Sequence, residues 1–141
     1  MGALSFKQRL ADPIRNMIND YCRLVRKYTM KDYSQHVRHA ILLIDSQLTH
    51  ELSLSHIASA LDLNPSYLSG IFKKETGHTI TEFISLRRVE QAKNLLRTSS
   101  MQIQDVAMYC GITDANYFSK VFRKYAGVSP AEYRARPNTA P

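Results

Sequence analysis

Six apolar or aromatic residues near the amino end, Leu10, Ile14, Met17, Tyr21, Leu24 and Tyr28, follow one another at alternating steps of four and three. That is the a/d stripe of an amphipathic helix sustained for about three heptads. Such a stripe fits two arrangements equally: packing on the rest of the chain, or an oligomer seam or the last piece of an upstream domain. Lys31 to Tyr33 interrupt the pattern, Ser34 offers a cap, and Val37, Ile41, Ile44 and Leu48 mark one face of a second helix. Ser53 then opens a short helix through Leu61 that contains Ile57 and Ala58.

Asn64 followed by Pro65 is an N-cap with proline at the first helical position, so a helix starts there by two independent signals, and Gly77 is its natural stop. Thr79 and Glu82 are spaced as a capping box that opens the next helix, which Phe83, Ile84, Val89, Ala92, Leu95 and Leu96 carry to about Arg97. Thr98, Ser99 and Ser100 break it. At 1.5 Å per residue such a rod is roughly 27 Å long.

The pattern then repeats. Residues 65–83 recur as 115–133 at a constant offset of 50, pairing Tyr67 with Tyr117, Ser69 with Ser119, Phe72 with Phe122, Lys74 with Lys124, Gly77 with Gly127 and Glu82 with Glu132. Upstream, the segment 103–110 matches the short helix at an offset of 49, with Val106 and Ala107 for Ile57 and Ala58, so the second copy carries one extra residue in its turn. Ser129, Pro130 and Glu132 repeat the helix start after Gly127. Agreement of caps between copies argues for a repeated fold more strongly than any single identity. Each copy reads as short helix, tight turn, second helix, the helix-turn-helix arrangement whose second helix enters the DNA major groove.

Helical geometry sorts the second helices into faces. In the first copy Tyr67, Leu68, Ile71 and Phe72 are expected inside, with Ser66, Ser69, Gly70 and Lys73 outside. In the second, Phe118, Val121 and Phe122 are expected inside together with Tyr117, and Asn116, Ser119, Lys120 and Arg123 outside. Asn pairs bidentately with adenine, Lys donates to guanine O6 and N7, and Ser hydroxyls serve bases or phosphates. Asn116 and Lys120 are four apart and point into one groove. Lys73, Lys74, Arg123 and Lys124 could instead merely solvate a helix face, but the run occurs twice at matching positions.

Composition narrows the partner. With 44% hydrophobic and 22% charged residues, the 141-residue chain is globular rather than disordered, although each repeat alone is marginal in size. A formal charge of +7 suits a polyanion. Cys22 and Cys110 lie far apart and read as small buried hydrophobes, reduced in a cytoplasmic setting. No apolar run approaches the ~20 residues of a membrane span. The histidines at 36, 39, 50, 56 and 78 lack metal-ligand spacing, His36 and His39 reading as a solvated pair, and no glycine run follows a strand to cradle phosphate. No enzyme, metal or cofactor is expected.

Arg88, Val89, Glu90, Gln91, Ala92, Leu95 and Leu96, then Ile103, Val106, Ala107, Gly111 and Ile112, then Tyr117, Phe118, Ser119, Phe122, Arg123, Lys124, Gly127, Ser129, Pro130, Tyr133 and Arg134 together resemble the signature of the AraC/XylS family of bacterial transcription regulators. The resemblance covers residues 37–136. It implies a seven-helix, all-α DNA-binding domain with two helix-turn-helix units in successive major grooves on one DNA face. It also implies base contacts at Ser66, Ser69 and Gly70 and at Asn116, Tyr117 and Lys120; the duplicated basic run and its neighbours, Lys73, Lys74, Ser119, Arg123 and Lys124, are read as phosphate contacts. Gly70 departs from the pattern, standing where many relatives carry a long polar or basic reader, which leaves direct readout to Ser66 and Ser69 and makes the second unit the more discriminating. Ile112 replaces the commoner Phe, a core substitution.

The expected division is a helix over 1–32, a stub of an upstream sensing or dimerising domain; a first unit over 33–79; a linker helix over 80–98; a second unit over 99–136; and a frayed tail over 137–141. The expected role is a cytoplasmic, nucleoid-associated regulator of an asymmetric operator, by family habit an activator working with RNA polymerase. Homodimerisation would run through the amino-terminal helix or a missing domain. The alternative is a basic helical adaptor for RNA or an acidic protein, which binds without preferring one duplex sequence over a scrambled one.

Overall fold

A computed structural model describes residues 33–136. The expected helix over 1–32 and the tail over 137–141, with Cys22 and the Leu10–Tyr28 stripe, lie outside the described residues. The described part is all-α: α1 Gln35–Ser46, α2 Leu54–Ala60, α3 Pro65–Thr76, α4 Ile80–Thr98, α5 Ile103–Tyr109, α6 Ala115–Ala126 and α7 Pro130–Ala135.

Helix α1 buries Val37, Ala40, Ile41 and Ile44 and ends at Ser46, so Leu48 falls in the turn beyond it, half-buried. Ser53 caps α2 by accepting from the His56 amide at 3.1 Å. The exit of α2 is a Schellman motif: Asp62 N–H donates to Ser59 O and Leu63 N–H to Ala58 O, with Asp62 left-handed at φ 57°. Helix α5 leaves in the same way, Gly111 N–H donating to Met108 O and Ile112 N–H to Ala107 O, with Gly111 at φ 86°. The two turns therefore match at an offset of 49 as far as Ile112, and the extra residue of the second copy is Thr113.

Helix α4 touches α3 at one end and α5, α6 and α7 at the other. Its buried positions are Ile80, Ile84, Val89, Ala92 and Leu96. The step from Ile84 to Val89 is five residues, which at 100° per residue swings the buried stripe by about 140° around the axis. One half of the helix thus closes the first unit and the other half the second, on different sides. Phe72 of α3 meets Phe83 of α4 edge-on at 5.2 Å. In the second unit Val89, Ala92, Leu96, Val106, Ala107, Cys110, Ile112, Phe118, Val121 and Phe122 form one core against which Tyr133 packs.

Two arginines pin helix ends to neighbouring elements. Arg88 of α4 donates to Leu48 O at 3.3 Å and His50 O at 2.8 Å, beyond the end of α1. Arg134 of α7 donates to Leu96 O at 3.2 Å and Ser99 O at 3.4 Å, at the end of α4. Arg134 satisfies a last-turn carbonyl of α4 that has no intrahelical donor, and Arg88 satisfies carbonyls of the turn that follows α1. Burial pulls the Arg88 guanidinium below its ordinary range, opposed by Cys110 and Tyr117. Burial also pushes the Cys110 thiol up to about 11, as expected of a core thiol held protonated.

Candidate nucleic-acid interface

The two candidate reading helices are built by the same local rules. Asn64 Oδ1 accepts from the amides of Ser66 at 2.8 Å and Tyr67 at 3.2 Å, and Pro65 occupies the first turn of α3. Asp114 does the same for α6, accepting from Asn116 N at 2.9 Å and Tyr117 N at 3.3 Å. Asp114 stands at the 50-residue register of Asn64, the signal that could have marked it from sequence. Both helices stop at a left-handed glycine, Gly77 at φ 80° and Gly127 at φ 82°. The following helices are opened by Thr79 and Ser129, each hydroxyl accepting from the amide three residues on at 3.1 Å.

The carboxylates in those starts diverge. Glu82 completes the capping box by accepting from Thr79 N at 3.3 Å and lies 3.5 Å from His78 Nδ1. Glu132 lies instead 3.9 Å from Arg123.

Of the expected base-contacting set, Ser66, Ser69, Gly70, Asn116, Tyr117 and Lys120 are all exposed. Of the expected phosphate set, Lys73, Lys74, Arg123 and Lys124 are exposed and Ser119 is half-buried. Ser119, Lys120 and Arg123 converge with Ser129 on one groove of about 240 Å³. This groove brings an expected base reader together with two expected phosphate contacts. Ser129, marked from sequence only as a cap, also lines this groove. The cations also have work inside their helices: Lys73, Lys74, Arg123 and Lys124 sit in last turns, where each is worth about 0.3–1 kcal/mol against the carbonyl end.

Two expectations about the faces are corrected. Tyr67 is not part of the buried stripe but 47% exposed, and Tyr117 is 53% exposed rather than buried with Phe118. In both helices the interior is filled by the next residue, Leu68 or Phe118, and the tyrosine lies one step round the helix toward solvent. Ile71 is half-buried. His36 is exposed as expected, but it is engaged: its Nδ1 lies 3.1 Å from the Tyr67 hydroxyl. Nothing within 4 Å meets a Cβ built on Gly70, so the site is open. Gly70→Ala is therefore expected to stabilise the fold by about 0.5–1 kcal/mol through helix propensity alone, read as a raised chemical denaturation midpoint.

Comparison with known proteins places this geometry. The sequence pattern of the helix-turn-helix domain matches residues 57–136. The arabinose operon regulatory protein of Escherichia coli K12 is 37% identical over 100 residues, covering 70% of this chain and 34% of that protein. The C-terminal domain of AraT, a response regulator from Geobacillus stearothermophilus, superposes with a TM-score of 0.74 at 32% identity, covering 77% of this chain and 91% of that one. The chain belongs to the AraC/XylS family of bacterial transcription regulators.

A further AraC-type neighbour carries its ligand. The DNA-binding domain of AdpA, a global transcriptional factor solved in complex with a target DNA, superposes with a TM-score of 0.68 at 26% identity, covering 72% of this chain and 92% of that one. The chain spans 16% of the length of the regulator YtdP of Bacillus subtilis and 36% of the arabinose operon regulatory protein of Salmonella typhimurium. Among the described residues no helix is long and apolar enough to cross a membrane, and no group of three or more His, Cys, Asp or Glu could hold a metal ion.

Proposed function

We propose that this AraC/XylS chain is the DNA-binding part of a transcription regulator that reads an asymmetric double-stranded operator with α3 and α6 in successive major grooves. The observation that carries the reading is the pair of helices with identical stops and matching caps but different exposed faces. Ser66, Ser69 and Gly70 stand on one face, and Asn116, Ser119 and Lys120 on the other. Identical scaffolds make the two units dock alike, and unlike faces make them read different base pairs. Ser66, Ser69, Gly70, Asn116, Tyr117 and Lys120 take the bases, and Lys73, Lys74, Ser119, Arg123 and Lys124 the phosphates.

The same reading covers the rest of the protein. The division into units at 33–79 and 99–136 around a linker at 80–98 follows the two faces of α4. Residues 1–32 then belong to an upstream sensing or dimerising part through which a homodimer forms. The protein is a binding module rather than an enzyme, works in the cytoplasm on the nucleoid, and as an activator meets RNA polymerase.

Selection of bound duplexes from a random DNA pool tests this directly. A defined site is expected, and equal binding to a scrambled duplex would favour the RNA or acidic-protein adaptor instead. On the selected site, Lys120→Ala should cost on the order of 1–3 kcal/mol and relax preference at one base pair. Arg123→Ala should weaken binding to every sequence and reduce the salt slope by about one. Uniform weakening by Lys120→Ala would move Lys120 into the phosphate set.

A further inference from the structure

Tyr67 is exposed by about half, yet it is held. Its hydroxyl lies 3.1 Å from His36 Nδ1, and the two rings meet edge-on, with centroids 5.6 Å apart and planes at 83°. Helix α1 thus reaches across to fix an aromatic side chain in the first turns of α3. Among the described residues the register-mate Tyr117, exposed to a similar degree, is near enough to Arg88 of α4 to act on its charge but has no side-chain hydrogen bond or ring contact from a neighbouring helix.

The neighbourhood of Tyr67 differs between copies in a second way. Residues three apart on a helix are surface neighbours, so Tyr67 sits beside Gly70, whereas Tyr117 sits beside Lys120. Gly70 offers no side chain, and nothing else fills the space a Cβ would take. The tyrosine is therefore the largest side chain on this edge of α3 that can reach out from the helix, and its reach is already set.

Ordering a long or aromatic side chain on binding costs roughly 0.5–1.5 kcal/mol, and a tether made before the ligand arrives removes that cost. A hydroxyl has one proton and two lone pairs. In the His36 tautomer that carries its proton on Nδ1, that proton goes to the Tyr67 oxygen, the Tyr67 proton is left to be given away, and each bond in such a chain strengthens the other. The acceptor this suits is one that needs a single donor and gives none back. A base edge presents donors and acceptors in a pattern, and one lone hydroxyl reads it poorly. A phosphate oxygen only accepts. Tyr67 also leans toward α1, off the Ser66, Ser69, Gly70 and Lys73 face, which puts its hydroxyl at the edge of the groove that face would occupy.

We propose that Tyr67, positioned by His36, donates its hydroxyl proton to a DNA phosphate oxygen and anchors the first helix-turn-helix unit where Gly70 supplies no side-chain contact. This rests on the reading of the chain as a DNA-binding module. Tyr67 is the contacting residue and His36 a positioning residue.

The test uses the full chain and a duplex selected from a random pool, with binding followed by fluorescence anisotropy. Tyr67→Phe keeps the ring and removes the hydroxyl; it is expected to weaken binding by about threefold to tenfold on every duplex, with the salt slope unchanged because no charge is lost. His36→Ala should weaken binding less, and the double variant should be no worse than Tyr67→Phe alone. Single methylphosphonate substitutions along the half-site of the first unit should reveal one position at which wild type and Tyr67→Phe bind equally. Thermal melts should show all the variants folded. Equal affinity of Tyr67→Phe and wild type on unmodified DNA, or strictly additive losses in the double variant, overturns the proposal while leaving DNA binding intact. Failure of the wild type to bind any duplex removes the underlying reading as well.

Discussion

Phe122→Ala is expected to cost about 3–5 kcal/mol, a large part of the roughly 5–15 kcal/mol by which a domain of this size is stable. Phe122 is fully buried at the centre of the second core. Its ring lies 5.8 Å from that of Phe118 and meets Tyr133 of α7 edge-on at 5.5 Å. Tyr133 in turn carries the Arg97 guanidinium 4.7 Å above its ring. Removing Phe122 therefore leaves a cavity and unseats α7, the helix whose Arg134 holds the carbonyl end of α4. Urea unfolding followed by circular dichroism should show a midpoint shifted far down with little change in slope. A loss below about 1.5 kcal/mol would mean that the second core collapses around the gap, and that Phe122 is not its keystone.

The same site shows what could be read without a structure. The caps at Asn64 and Thr79 and the glycine stops at Gly77 and Gly127 were legible because each is a local signal, settled within four residues of chain. The fully buried Phe72, Phe118 and Phe122 were legible because they sit at the middle of an apolar stripe. Tyr67 and Tyr117 were misassigned because they sit on its border, where helical periodicity alone gives no answer. What decides a border position is the element across from it, and for Tyr67 that element offers an exposed, polar His36. The arginine contacts were illegible for a related reason: Arg88 to Leu48 spans 40 residues and Arg134 to Leu96 spans 38. No composition or spacing marks a guanidinium as a carbonyl partner at that range. Most candidate DNA-facing residues sit between these cases, since the exposure of all but Tyr117 and Ser119 followed from the helix pattern while the groove joining Ser119, Lys120 and Arg123 to Ser129 depends on how α6 and α7 meet.

Gly111→Val is expected to destabilise by roughly as much as loss of a core phenylalanine, on the order of 3–5 kcal/mol, by a wholly different route. Gly111 holds φ 86°, a conformation that costs an L-residue about 1–2 kcal/mol and a β-branched one more. A Cβ there would run into the Leu48 carbonyl oxygen and come within 3.0 Å and 3.2 Å of Arg88 nitrogens. These are the partners that tie the turn beyond α1 to α4, so the side chain would push Arg88 off Leu48 O and His50 O. Burial already disfavours the Arg88 charge, and losing those carbonyls removes hydrogen bonds that help offset its desolvation. Asp62 provides the internal control. It fills the matching turn of the first unit with a left-handed φ of 57° and no glycine, so the conformation alone is tolerable there. Gly111→Asn, which eases the backbone cost but keeps the collision, should therefore remain clearly destabilised, while Asp62→Gly should be near neutral or mildly stabilising. If Gly111→Asn unfolds at the wild-type midpoint, the packing at Leu48 and Arg88 is not what fixes this turn. Gly111 closes the second unit's turn against Leu48 and Arg88, so this packing ties the turn after α1 in the first unit to the second. At a temperature where Gly111→Asn is still folded, its affinity for a two-unit site should fall more than its affinity for an unrelated duplex, since only the former demands the correct spacing of the two helices.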